Sequence, residues 1–136
     1  MGLNIYLFFN GNCEEVMNFY AAATNGTIES LVRFSDTKVD VDEVHKNMIM
    51  HGVMLINDVK IMFSDTSGNR DISQGKNFSL SLNYTDEKAM VKVFNALSKG
   101  GTITMPIQDT FWGAKFGMCT DKYGINWMFN HDKPKY

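Results

Sequence analysis

The feature that most limits how this chain can fold is that it repeats itself. Laying Asn4-Ile5-Tyr6-Leu7-Phe8 over Asn77-Phe78-Ser79-Leu80-Ser81 brings Glu14 onto Glu87 and Met17 onto Met90 without a gap. A second offset lays Ile61-Met62-Phe63 over Trp127-Met128-Phe129. Each copy reads strand, helix, strand, strand, strand. One such unit leaves a sheet face bare, and a second can cover it, so two tandem βαβββ modules account for the pattern. The expected architecture is α+β, one domain built of a first module at 1–65 and a second at 77–136.

The punctuation supports that division. Residues 3–9 form an aromatic and β-branched run, followed by Asn12 as a helix N-cap with Glu15 three residues on in a capping-box arrangement. Val16, Met17, Tyr20 and Ala23 fall on one helical face, and Asn25-Gly26 supplies a left-handed stop. A strand is expected at 28–34, then a hairpin of 48–56 and 59–64 around Asn57-Asp58. The second copy has a strand at 77–83 and a helix capped by Thr85. The face of that helix is Ala89, Met90, Val93, Phe94 and Leu97, and Gly100-Gly101 stops it. Strands at 102–107, 116–120 and 125–129 complete it, the last two joined by the turn Asp121-Lys122-Tyr123-Gly124.

Charge excludes several functions. Thirteen basic against fifteen acidic residues leave a net charge of −2, with no basic run to attract nucleic acid or an anionic membrane. No long uncharged apolar span and no signal-peptide pattern at Met1-Gly2-Leu3-Asn4 is present, so a soluble cytoplasmic protein is expected. Cys13 and Cys119 form no CxxC or zinc spacing and read as free, buried thiols.

Strand alternation places Tyr6, Phe8, Ser79 and Ser81 on one face, opposite Leu7, Leu80 and Leu82. His51 lies mid-strand and is the imidazole placed to share such a face, either as a general base or ligand donor or as a core histidine bonded to a neighbour. His45 and His131 are expected to face solvent. The acidic 35–47 segment, with Asp36, Asp40, Asp42 and Glu43 ahead of His45, fits no EF-hand spacing and reads as a solvated loop. The loop 108–114 combines Gln108, Asp109 and Thr110 with Phe111 and Trp112. That mixture suits a lid over a pocket, and equally an aromatic plug at one end of the core. Arg33 and Lys115 could neutralise an anionic ligand or stand as solvated strand-edge charges.

Tyr6-Leu-Phe-Phe-Asn-Gly-Asn-Cys-Glu-Glu-Val-Met-Asn-Phe-Tyr20, together with Gln108-Asp-Thr-Phe-Trp-Gly-Ala-Lys-Phe-Gly-Met and Thr120-Asp-Lys-Tyr-Gly-Ile-Asn-Trp-Met-Phe-Asn130, resembles the PhnB-like branch of the vicinal oxygen chelate superfamily. This is the superfamily of glyoxalase I, extradiol dioxygenases and the fosfomycin and bleomycin resistance proteins. The resemblance implies cupped mixed sheets with helices on their outer faces, and a homodimer. It also implies a divalent metal held by His or Glu from the first and last strands of the modules. Carried onto this chain, those positions fall near Ile5 or Tyr6, near Phe78 or Ser79, and at Met62 and Met128. None is His or Glu, and thioethers and hydroxyls are poor ligands for such ions. That branch often carries a 3-demethylubiquinone methyltransferase label, yet no glycine-rich nucleotide loop follows a strand here.

Two functions of different class follow. One is a non-enzymatic protein that binds or sequesters a small molecule without a cofactor. Its aromatic-lined cavity would draw on Tyr6, Phe8, His51, Met62, Ser79, Ser81, Gln108, Phe111, Trp112 and Met128. The other is a metal-dependent lyase, isomerase or dioxygenase with a non-standard site around His51, to which Gln108 or Asp109 contributes.

Overall fold

Hydrophobic alternation decides both sheets, which a computed structural model describes over residues 2–38, 40–66 and 72–132. The chain divides into two compact units, Met1–Ser73 and Gln74–Tyr136. In the first, β1 (Ile5–Phe9) leads to α1 (Cys13–Thr24), then β2 (Thr27–Arg33), β3 (Ile49–Ile56) and β4 (Val59–Asp65). The sheet order is β1-β4-β3-β2, with β1 parallel to β4 and the other pairs antiparallel. In the second, β5 (Leu80–Tyr84), α2 (Glu87–Ser98), β6 (Thr102–Asp109), β7 (Ala114–Thr120) and β8 (Asn126–Asp132) give the same arrangement, β5-β8-β7-β6.

Local chemistry explains where the elements stop. Asn57 and Asp58 both take positive φ, the conformation that lets a two-residue turn follow the twist of β3 and β4. Asn25 ends α1 at φ 58°, as its left-handed tolerance predicts. Each helix then covers one face of its own sheet. Leu7, Phe9, Met17, Tyr20, Met54 and Phe63 are buried in the first unit, and Leu82, Met90, Phe94, Leu97, Trp127 and Phe129 in the second. At about 1.5–3 kcal/mol for each large apolar side chain, these two cores are the main stabilising term.

Both expected helix caps need correction. Asn12 precedes α1 but its side chain makes no capping bond. Asp65, at the end of β4, does that work by accepting from the Gly11 and Cys13 amides. Asp86, not Thr85, caps α2, accepting from the Lys88 amide at 3.0 Å.

The gapless repeat also fails at its first strand. Leu7 pairs with Phe63 and Leu82 with Phe129, so Leu82 is the equivalent of Leu7 and Ser81 that of Tyr6. The first strand of the second copy therefore begins at Leu80, later than the expected 77, and its link to the helix is one residue shorter. A slip of two keeps every side chain on its face, which is why the face assignments survive it.

Candidate functional site

Because α1 occupies one face of the first sheet, the other face is where chemistry can gather. Gly52 and Met54 of β3 turn toward the helix, and a Cβ at Gly52 would lie 2.6 Å from the Met17 sulfur. His51, between Met50 and Gly52, therefore points away from α1, as do Tyr6 and Phe8 of β1. Met62 sits beside Tyr6 in the β1–β4 register and Ser64 beside Phe8.

These side chains touch. The Tyr6 hydroxyl and His51 Nδ1 are 3.0 Å apart in a hydrogen bond, and the Tyr6 ring stacks on Phe8 with centroids 4.8 Å apart. The Ser64 hydroxyl is turned to the Met50 carbonyl at 2.8 Å and that of Asp65 at 2.9 Å. Burial raises the Tyr6 phenol above its ordinary pKa, an effect the Ser64 hydroxyl partly offsets and the nearby Cys13 sulfur reinforces. Tyr6 is thus a neutral hydroxyl at physiological pH. Yet Tyr6 remains 38% exposed and Phe8 44%, so a polar pair and an apolar ring stand together on an accessible surface.

In the second unit Ser81 neighbours Met128, and Gln108 neighbours Phe116, on the sheet face away from α2. The expected 108–114 loop is shorter than its composition suggested, because Gln108 and Asp109 pair within β6 and Ala114 within β7. Thr110 pins what remains, its hydroxyl accepting from the Ala114 amide, while Gly113 supplies a positive φ of 84°. Trp112 meets Phe116 edge-on at 6.2 Å, and Phe111 meets Trp112 at 4.9 Å. Phe111 is 97% exposed, so it plugs no core. Ser79, just outside β5, lines a separate cavity of this unit.

The expected residues thus fall into groups. Tyr6, Phe8, His51 and Met62 are brought together in the first unit, whereas Ser81 with Met128, and Gln108 and Trp112 around Phe116, belong to the second. Arg33 and Lys115 are already paired. Arg33 holds both Glu14 oxygens, at 2.9 and 2.8 Å, and Lys115 meets Glu87 at 2.5 Å. His131 is buried, not solvent-facing, with Nε2 donating to the Thr85 carbonyl at 3.0 Å. Sequence reasoning missed Ser64, whose position opposite Phe8 is a matter of register that periodicity does not fix.

A metal of the kind the fold's enzymes use does not fit here. Tyr6, Met62, Ser81 and Met128 hold the equivalent places and offer a phenol, two thioethers and a hydroxyl, none a good donor to a hard divalent ion. Among the described residues, no three His, Cys, Asp or Glu side chains are placed to share an ion.

Two four-stranded mixed sheets, each βαβββ in order with a helix on one face, define the glyoxalase/bleomycin resistance/dioxygenase fold. A domain of that description from Frankia sp. EAN1pec superposes with a TM-score of 0.70 over 98% of both chains, at 12% identity. Residues 2–129 match the family model described as 3-demethylubiquinone-9 3-methyltransferase, and the chain belongs to that family. Protein PA1353 from Pseudomonas aeruginosa is 37% identical, with a TM-score of 0.86 over 98% of this chain and 100% of that one. A PhnB protein from Bacillus cereus is 27% identical, with a TM-score of 0.81 over 96% and 99% of the two chains.

Proposed function

We propose that this PhnB-like protein binds or sequesters a small, flat molecule with a polar edge on the helix-free face of its first sheet. The observation that carries this is the Tyr6–His51 hydrogen bond, set beside the stacked Phe8 ring on a half-exposed surface. With Nδ1 engaged by Tyr6, Nε2 is the imidazole nitrogen left for a ligand, in a fixed orientation. Phe8 and Met62 supply apolar contact area of adaptable shape. Trp112, on the turn between β6 and β7, and Gln108, on β6, offer the second unit a contact surface of its own, and the working form is a homodimer.

The test is a ligand screen of heteroaromatic compounds by amide NMR, repeated on His51→Ala and Tyr6→Phe. Hits should perturb residues around Phe8 and Met62 and weaken about tenfold in His51→Ala, the worth of one well-placed polar contact. Hits indifferent to both substitutions would sink the site. Loss in Trp112→Ala checks the loop, and sedimentation at micromolar concentration checks the dimer.

The same hydrogen bond favours one second reading, in which His51, positioned by Tyr6, is a general base in a lyase, isomerase or dioxygenase. Full turnover of any substrate by His51→Ala would remove it from that role. Metal content of protein purified without chelators, with melting scans in added divalent ions, tests the metal-dependent form.

A further inference from the structure

The second unit carries a solvent-open cleft of about 450 Å³, in the range of small-molecule pockets. Its described lining comes from this unit alone, and it is built by a short strap. Asn126 donates through Nδ2 to the Gly75 and Phe78 carbonyls, at 3.0 and 3.1 Å, and Gln74 reaches the Tyr123 carbonyl. A side chain at Gly124 would fall on Gln74, so that glycine lets the strap lie down across the turn, at a φ of 88° that also suits it. The 74–78 segment is thereby tied over one end of β7 and β8, and the space beneath is the cavity.

We propose that this cavity is a second ligand site, for a small organic anion with an apolar body. Its floor includes the Met118 thioether, and its walls carry the Ser79, Thr102, Thr104 and Thr120 hydroxyls with Lys76 at the strap. Thr120 is spent on Asn126 Oδ1 at 2.7 Å, and Asn126 spends both amide protons on the strap. The exposed Ser79, Thr102 and Thr104 hydroxyls make no hydrogen bond, and Lys76 no ion pair, among the described residues. Among the described residues, no Asp or Glu lines the space. A lining with free donors and one cation but no carboxylate selects an acceptor-rich, negatively charged group and repels none. The thioether floor takes the apolar part.

The experiment titrates the ¹⁵N-labelled full chain with benzoate and with benzamide, its neutral counterpart of similar shape. Benzoate is expected to shift the Ser79, Thr104 and Met118 amides saturably and to bind more tightly than benzamide. Lys76→Gln should weaken benzoate about fivefold, the scale of an exposed charge contact, and leave benzamide unchanged. Thr104→Val should weaken benzoate about threefold, the lower end of a neutral hydrogen bond. Equal binding of both probes, indifference to both substitutions, or no saturable shift at those amides would overturn the proposal. Shifts confined to residues around Tyr6 and His51 would also overturn it while supporting the first-sheet site, so the two readings fail separately.

Discussion

Asp65 and His131 occupy the same register place in the two sheets, opposite Phe9 on β1 and Tyr84 on β5, and each ties the last strand to the start of its helix. Asp65 accepts from the Gly11 and Cys13 amides at 2.8 and 3.0 Å and, through its other oxygen, from Ile49 at 2.9 Å. His131 instead donates once, to the Thr85 carbonyl. The Asp65 side chain is the stronger clasp, because it satisfies three amides where His131 satisfies one carbonyl.

Asp65→Ala should therefore cost about 3 kcal/mol or more, since it strands three amides, those of Cys13 and Ile49 where water is excluded. His131→Ala, which frees one carbonyl, should cost about half of that apart from its lost packing. Urea denaturation of both variants checks the order. Equal losses would mean that the clasp at Asp65 carries no special weight.

Two glycines with crowded surroundings should respond differently to the same added methyl. At Gly52 the new Cβ meets the Sδ and Cε of Met17, the far end of a flexible chain that can swing aside. At Gly101 it meets the Thr120 carbonyl oxygen and the Asp121 backbone, which cannot move without opening the end of β7. Gly101→Ala is expected to lose more than about 2 kcal/mol and Gly52→Ala less, by the usual scale of overpacking. Melting temperatures of the two variants decide it.

What was legible in the sequence was whatever short-range periodicity controls. The βαβββ order, the Asn57-Asp58 hairpin and the shared face of Tyr6, Phe8 and His51 all follow from alternation and turn chemistry. Long-range partners were not legible. Asp65 follows an apolar strand directly and gives no local sign that it will cap a helix 52 residues earlier in the chain. Asp121 looks like an ordinary turn residue, yet it is 3% exposed and accepts from the Tyr123 and Ile125 amides and from Trp127 Nε1. The cavity beneath the 74–78 strap depends on Asn126 reaching back about fifty residues, and no spacing rule announces that.

Acid should weaken the first unit partly through Glu14. The Arg33 hydrogen bonds and charge hold the Glu14 carboxyl below its ordinary pKa, outweighing a small opposing effect of burial. A depressed folded-state pKa stabilises above the unfolded value, and that contribution is lost as pH falls through the folded value. The pair is well exposed, so the effect is discounted by solvent screening. Glu14→Gln should flatten the acid limb of a stability–pH profile between about pH 5 and pH 3 without moving the neutral plateau much. An unchanged acid limb would show that the pair contributes nothing measurable.

Both thiols should be inert until the protein unfolds. Burial, and then the Asp65 and Glu14 charges, push the Cys13 thiol far above its ordinary pKa. Cys119 is raised chiefly by burial, with the Ser98 hydroxyl opposing and Asp121 adding to it. Reaction requires the thiolate and access to it, and the two side chains are 0% and 1% exposed. A chromogenic disulfide reagent at mildly alkaline pH should therefore find neither thiol in the native protein and both in strong denaturant. The slow native-state reaction should follow the opening of each core, so Asp65→Ala, which loosens the end of the first sheet against α1, should speed Cys13 more than Cys119. Equal acceleration of both would mean that the two units open together.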